Sequence, residues 1–304
     1  MNQEIEKLYQ EYPWLKITTT LEEYVEPEYY DRLLKEYIFH GKRDTQIFED
    51  FLKSIPFNKD IKALELGCGT GRSTEIFIDS SKIKYSKLVL IDMSKRMLDF
   101  CRNRFRNYEN LEFIEADSIT FLEKTTEVYG VIFSLWSFSH SVHQILIKRG
   151  VTAGRKYVQK VITKMIKENM GKSSKFFLIH FDSLSEEQKI LMRQWKNAFP
   201  IYTDLDAQSP SKLSIDDVLQ ELHKEGIIEL KSSYFEGEAI TYSSINEALE
   251  IFLNFHMESY FNETKQLPNI IDELIQYFRK FTDKDGKIRI KPGCFIYMVD
   301  KIGQ

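Results

Sequence analysis

The run Ala63-Leu64-Glu65-Leu66-Gly67-Cys68-Gly69-Thr70-Gly71-Arg72 constrains this chain more than any other stretch. A hydrophobic strand carrying an acidic residue is followed by glycines at every second position and then by a helix start. Glycine tolerates positive φ and lacks the Cβ that would keep a ligand away from the backbone. The helix N-terminus beyond the loop offers N–H groups without intrahelical partners and the positive end of the dipole. That suits a carboxylate or a phosphate.

The glycine spacing narrows the ligand. A dinucleotide fingerprint is Gly-x-Gly-x-x-Gly, its third glycine serving close helix–strand packing. Here the pattern is Gly-x-Gly-x-Gly, position 72 is Arg, and Glu65 stands two residues before the first glycine. The spacing argues against a nicotinamide oxidoreductase.

Strand and helix patterns alternate around this loop. Short apolar runs at 62–66, 87–91, 111–115, 129–135 and 175–180 read as strands, and 73–79, 94–107 and 157–169 as amphipathic helices. That rhythm predicts an α/β fold with a doubly wound, mostly parallel sheet, whose ligands bind at the carboxyl ends of the strands. Residues 1–55 are acidic, aromatic and helical in pattern, with Tyr30, Leu33, Leu34, Tyr37 and Ile38 at helical spacing and a helix near 45–52 that Pro56 closes. After Asp182 the rhythm breaks: helices are expected at 185–198, 214–224, 243–262 and 269–281, with strands at 232–242 and 293–299. The expected organisation is a helical N-terminal cap (1–55), an α/β core (56–184), and a C-terminal part (185–304). The last part completes a seven-stranded sheet and carries a helical insert before the last strand.

Three further segments follow the glycine loop in order. Asp92 closes the second strand about 20 residues on, where a carboxylate accepts from ribose hydroxyls, with Met93 beside the base. Asp117 and Ser118 stand just past the third strand. Asp92, Ser94 and Asp117 also suit helix N-caps. The fourth strand ends in Ser134-Leu135-Trp136-Ser137-Phe138-Ser139-His140. Glu-x-Gly-x-Gly-x-Gly, with these segments after it, resembles the class I S-adenosylmethionine-dependent methyltransferases over about residues 60–185.

The resemblance implies a Rossmann-like methyltransferase fold and S-adenosyl-L-methionine as cofactor. The residues it places around that donor are Glu65, Gly67, Cys68, Gly69, Gly71, Asp92, Met93, Asp117, Ser118, Leu135 and Trp136, with Tyr30 from the cap. Asp117 takes the adenine-amino position. Family members that methylate amino groups of nucleic-acid bases carry Asn/Asp/Ser-Pro-Pro-aromatic where this chain has Ser134-Leu135-Trp136-Ser137, a departure that argues against such acceptors. The layout of the flanks is broadly similar to small-molecule members such as histamine N-methyltransferase, without a shared substrate residue.

Methyl transfer from a sulfonium is an in-line displacement, served more by alignment than by a strong catalytic group. Aromatic rings favour the sulfonium by cation–π attraction, and Tyr29, Tyr30, Tyr37 and Trp136 are the candidates among 22 Phe, 16 Tyr and 3 Trp. A base is needed only for a hydroxyl or thiol acceptor. His140 and His143 are best placed, with His180 and His256 as the others. No set of metal carboxylates is identifiable.

Composition bounds the partners. A net charge of −4 offers no footprint for DNA, and three scattered cysteines (Cys68, Cys101, Cys294) fit neither a disulfide framework nor a zinc site. With no signal-peptide pattern and no long apolar run, a cytoplasmic protein away from the membrane is expected. The reading is an enzyme that methylates an N or O atom of a small metabolite. The alternatives are a methyltransferase of peptide or RNA, or a non-catalytic S-adenosylmethionine-binding protein. Monomer and homodimer are equally compatible with the sequence.

Overall fold

The structure, a computed structural model, describes residues 3–15, 31, 33–55, 60–80, 83–181, 184–198, 208–253 and 267–303. Its first half holds α1 (Gln3–Glu11), β1 (Ile38–Phe39), β2 (Lys42–Arg43), α2 (Asp44–Ser54), β3 (Ile61–Leu66), α3 (Arg72–Asp79), β4 (Tyr85–Asp92), α4 (Lys95–Arg104), β5 (Leu111–Glu115), α5 (Ser118–Lys124) and β6 (Tyr129–Leu135). Then follow α6 (Ser137–Arg149), α7 (Val151–Lys164), β7 (Met170–Phe181), α8 (Glu186–Ala198), α9 (Pro210–Lys224), β8 (Ile228–Glu236), β9 (Ile240–Tyr242), α10 (Ile245–Ile251), α11 (Leu267–Lys280), β10 (Ile288–Ile290) and β11 (Gly293–Lys301).

Seven strands form one sheet in the order β5-β4-β3-β6-β7-β11-β8. The pairs β4–β5, β3–β4, β3–β6 and β6–β7 are parallel, and β11 runs antiparallel to β7. Parallel neighbours require crossover connections, which the intervening helices supply. From β3 the chain steps outward to β4 and β5, then returns to lay β6 on the other side of β3. That reversal is a topological switch point, where open sheets of this kind bind ligands beyond the strand carboxyl ends.

Leu88, Val89, Leu90 and Ile91 of β4 are all buried, as expected for a parallel strand covered on both faces. Phe48 and Phe51 of α2 and Phe77 of α3 pack on the sheet against Phe133 and Phe177, with ring centroids 4.7–5.2 Å apart. These phenylalanines from the aromatic surplus fill the core.

The chain divides into two compact units, and the sheet lies in the unit formed by Ile38–Asp182, Gln208–Phe235 and Cys294–Gln304. The other comprises Met1–Tyr37, Ser183–Ala207 and Glu236–Gly293. In it α11 buries Leu267, Ile270, Ile271, Leu274 and Phe278, a stripe at helical spacing. The buried Tyr37 hydroxyl donates to Glu187 Oε1 at 2.7 Å, and β9 pairs with β10 antiparallel.

Several elements differ from expectation. Ile38 does not continue a helix but opens the β1–β2 hairpin, whose turn uses His40 and Gly41 at φ 50° and 73°. Residues 137–149 form a helix that is not among the expected elements. The 232–242 run is two strands broken at Gly237, whose N–H donates to Pro292 O at 2.8 Å. Of the expected 243–262 helix, α10 is described, and the remainder lies outside the described residues.

Candidate functional site

The glycine loop is fastened to the end of β4. The N–H groups of Gly67 and Cys68 both donate to Ile91 O at 2.8 Å, and that of Gly71 donates to Cys68 O at 2.9 Å. Gly67, Gly69 and Gly71 take φ of 78°, 52° and 85°, the left-handed region that penalises a side chain. Their surroundings differ. A Cβ at Gly67 would lie 1.8 Å from Ser137 Oγ, and one at Gly71 would lie 2.4 Å from Phe105 Cε2. Nothing comes within 4 Å of a Cβ at Gly69. Two glycines therefore admit protein neighbours, and Gly69 leaves open space beside the loop, which is the fit a donor molecule needs.

Glu65 is fully buried, and its oxygens accept from the hydroxyls of Ser73 and Thr74 in the first turn of α3. Burial pushes its carboxyl up to about 8, against the opposing effect of those two hydroxyls. Both oxygens are committed to the helix start, so Glu65 acts on the loop through α3. Asp92 Oδ2 accepts from Gly69 N–H at 2.8 Å, and Oδ1 from Ser94 N–H at 2.9 Å. Burial raises its pKa as well, offset by those backbone N–H groups. A carboxylate offers about four acceptor sites, more than the backbone N–H groups of Gly69, Ser94 and Met93 use, so Asp92 can still meet a ribose hydroxyl. Asp117 is the N-cap of α5, accepting from Thr120 N–H at 2.9 Å, and Ser118 is buried as its first residue.

The β6–α6 junction is tightly specified. Ser134 Oγ donates to Leu66 O at 2.6 Å and accepts from Phe138 N–H at 3.1 Å. Trp136 adopts φ 72° and ψ −32°, a strained conformation costing about 1–3 kcal/mol that persists only when its surroundings fix it. Its N–H donates to Ile179 O at 2.9 Å, its carbonyl accepts from Ser139 Oγ at 2.7 Å, and its ring lies 4.8 Å from Phe181. The indole N–H donates to Asp44 Oδ2 at 2.8 Å. Asp44 is fully buried and also pairs with Arg72, Nη2–Oδ1 at 2.8 Å and Nη1–Oδ2 at 3.1 Å. The ring expected to face a sulfonium is thus 1% exposed and spent on packing and on Asp44.

The remaining expected residues scatter. Cys68 turns its thiol to Cys101 of α4, and that contact and burial raise its pKa well above the ordinary value. Its side chain is therefore directed into the protein. Leu135 is buried at the end of β6, and Met93 is exposed with its sulfur 3.8 Å from Gln144 Nε2. His140 and His143 lie one turn apart on α6. His140 is half-buried, edge-on to Phe181 at 5.6 Å, whereas burial, aided by His140, holds the His143 imidazole down to about 3. His180 is buried on β7, depressed to about 4 chiefly by desolvation. Tyr29, Tyr30, Asp182 and His256 lie outside the described residues. Asp44 and Ser137 escaped the sequence reading: an acid and a serine at helix starts look like local capping, and no spacing links position 44 to 136.

Residues 63–153 match the model of the methyltransferase domain family. No curated protein matches the chain. The YcgJ protein from Bacillus subtilis is similar in structure, with a TM-score of 0.51 and 12% identity, covering 86% of this chain and 98% of that one. N-methyltransferase NodS from Bradyrhizobium japonicum, solved with S-adenosyl-L-homocysteine, gives 0.45 and 12%, covering 95% and 97%. An rRNA methylase from Streptococcus thermophilus gives 0.41 and 11%, covering 86% and 98%. Residues 63–153 are thus a methyltransferase domain, set in a doubly wound, mostly parallel sheet. Among the described residues, no helix is long and apolar enough to cross a membrane.

Proposed function

We propose that the enzyme transfers the methyl group to an N or O atom of a small metabolite by in-line displacement. The β6–α6 junction carries this reading. Where base-directed methyltransferases hold an exocyclic amine, Ser134 is taken up by Leu66 and Phe138, Ser137 packs on Gly67, and the Trp136 N–H groups go to Ile179 and Asp44. The groups that would grip a flipped base are spent internally. The net charge of −4 supplies none of the basic surplus that a polynucleotide acceptor favours.

Bound at the loop, the donor supplies an electrophilic methyl group on a sulfonium. The chain supplies position: Asp92 and the Gly69 side of the loop hold one reactant, and fixing two reactants in line is worth roughly 7–11 kcal/mol. An amine acceptor needs only to be neutral. For a hydroxyl acceptor, His140 is the base, being half-buried at the start of α6, whereas His143 is kept neutral by burial. Met93 completes the donor surroundings in this reading, and the enzyme works in the cytoplasm.

Incubation with methyl-labelled S-adenosylmethionine and separate pools of metabolites, peptides and RNA tests the assignment. Label in the metabolite pool is expected. Label confined to peptides or RNA would replace the acceptor class, and donor binding without label in any pool would mark a non-catalytic binding protein.

A further inference from the structure

We infer that Asp44 is a positioning residue for the methyl-donor site, acting through Arg72 and Trp136 although it lies outside the matched methyltransferase domain. The contacts form a closed circuit. Asp44 is bound to the guanidinium of Arg72, the residue that follows Gly71 and opens α3. The loop runs back from Gly71 to Gly67, where Ser137 fills the space that a Cβ would take. Ser137 follows Trp136, whose indole N–H returns to Asp44 at 2.8 Å. One buried carboxylate thus ties together the two segments that abut at the carboxyl ends of β3 and β6.

Each contact matters because neither segment is relaxed without help. The three loop glycines and Trp136 all sit at positive φ, so other torsions are open to them once the ties loosen. Asp44 is itself fixed. It begins α2, behind the Arg43 N–H to Gln46 Oε1 bond of 2.9 Å, and α2 is held down by Phe48 and Phe51. A buried carboxylate with a bidentate guanidinium and an indole donor is a well-matched, charge-assisted set. Losing the charge leaves the part-buried Arg72 and the buried Trp136 N–H with poorer partners. The circuit sets the shape of the loop before the donor arrives, which is how preorganisation raises affinity.

Asp44→Asn keeps the volume and removes the charge. Titration of the purified protein with S-adenosylhomocysteine is expected to show a loss of roughly tenfold or more, and Trp136→Phe, which removes only the N–H, a smaller loss of about threefold. Amide hydrogen exchange of the ligand-free Asp44→Asn protein distinguishes positioning from general support. Exchange should rise in peptides covering 66–72 and 134–139, with the β4 peptide 85–92 unchanged. Unaltered affinity in both variants overturns the inference, as does exchange that rises equally in β4. Should Asp44→Asn not fold, Trp136→Phe decides by the same two readouts. A wild-type protein that binds no S-adenosylhomocysteine would overturn the donor assignment itself.

Discussion

Ser137 occupies the space that a side chain at Gly67 would need: a Cβ there would lie 1.8 Å from Ser137 Oγ and 2.2 Å from Ser137 Cβ. The first loop glycine is therefore a packing glycine, imposed by the helix that leaves β6. Gly69 has the opposite surroundings, with nothing near its missing side chain.

The two positions should respond differently to alanine. At Gly67, with φ of 78°, the left-handed backbone costs about 1–2 kcal/mol and the overlap with Ser137 adds to it. Gly67→Ala is expected to lose at least about 2 kcal/mol in urea unfolding, and adding Ser137→Gly should recover the part due to overlap. At Gly69 the backbone cost is of similar size, but the methyl projects into open space. Gly69→Ala should lose donor affinity beyond its modest loss of stability. Equal profiles for the two variants would contradict this division of roles.

Asp92 joins the second strand to the loop through Gly69, and its spare lone pairs face the donor in the proposed reading. Asp92→Ala removes both functions. Calorimetric titration with S-adenosylmethionine should show a loss of roughly 1–3 kcal/mol, the range for hydrogen bonds to a charged group left unmade. An unchanged dissociation constant would refute the ribose assignment.

Much of this organisation is legible in the sequence, and its limits have physical reasons. The strands at 111–115 and 129–135 are recognisable because apolar runs of that length, bounded by polar turns, have few alternative folds. Glycine spacing identifies the loop because its backbone angles are local. The helix at 137–149 is hidden by Ser137, Ser139 and Ser141, whose hydroxyls compete for the backbone in isolation. Here Ser139 closes on Trp136 O, and the helix is held by burial of Phe138, Val142, Ile145 and Leu146. Trp136 misled for a related reason. Sequence places an aromatic residue just past the fourth strand, but only the Asp44 contact, 92 positions away, shows which way it is committed.

Glu65 makes the stability depend on pH in a definite direction. Its carboxyl is pushed up to about 8 in the folded protein, from an ordinary value of 4.5. Between those values the folded state holds a proton that the unfolded chain has released. Stability from this group therefore falls as pH rises from about 4.5 to about 8, by up to about 1.4 kcal/mol per pH unit, and then levels off. Glu65→Gln stays neutral and keeps a partner for Ser73 and Thr74. Its unfolding free energy between pH 5 and 8 should decline less steeply than that of the wild type. Parallel curves would show that Glu65 is ionised in the folded state throughout.

His143 and His140 should separate in the same kind of measurement. Burial holds His143 at about 3, so it is neutral when folded and protonates in the unfolded chain near 6.5. Its contribution to stability is complete above about pH 6.5 and is lost as the pH falls toward 3, alongside that of His180, depressed to about 4. A group this weakly basic takes no proton from an acceptor at neutral pH. His143→Leu should leave the pH dependence of methyl transfer between pH 6 and 9 unaltered and should reduce the loss of stability on acidification. His140, half-buried at the start of the same helix, is the one to affect turnover. With a hydroxyl acceptor, His140→Ala should lower kcat by about 10²-fold or more. With an amine acceptor the loss should be slight, so the pair of variants also reports which atom receives the methyl group. A shifted profile in His143→Leu would place the base on the buried histidine instead.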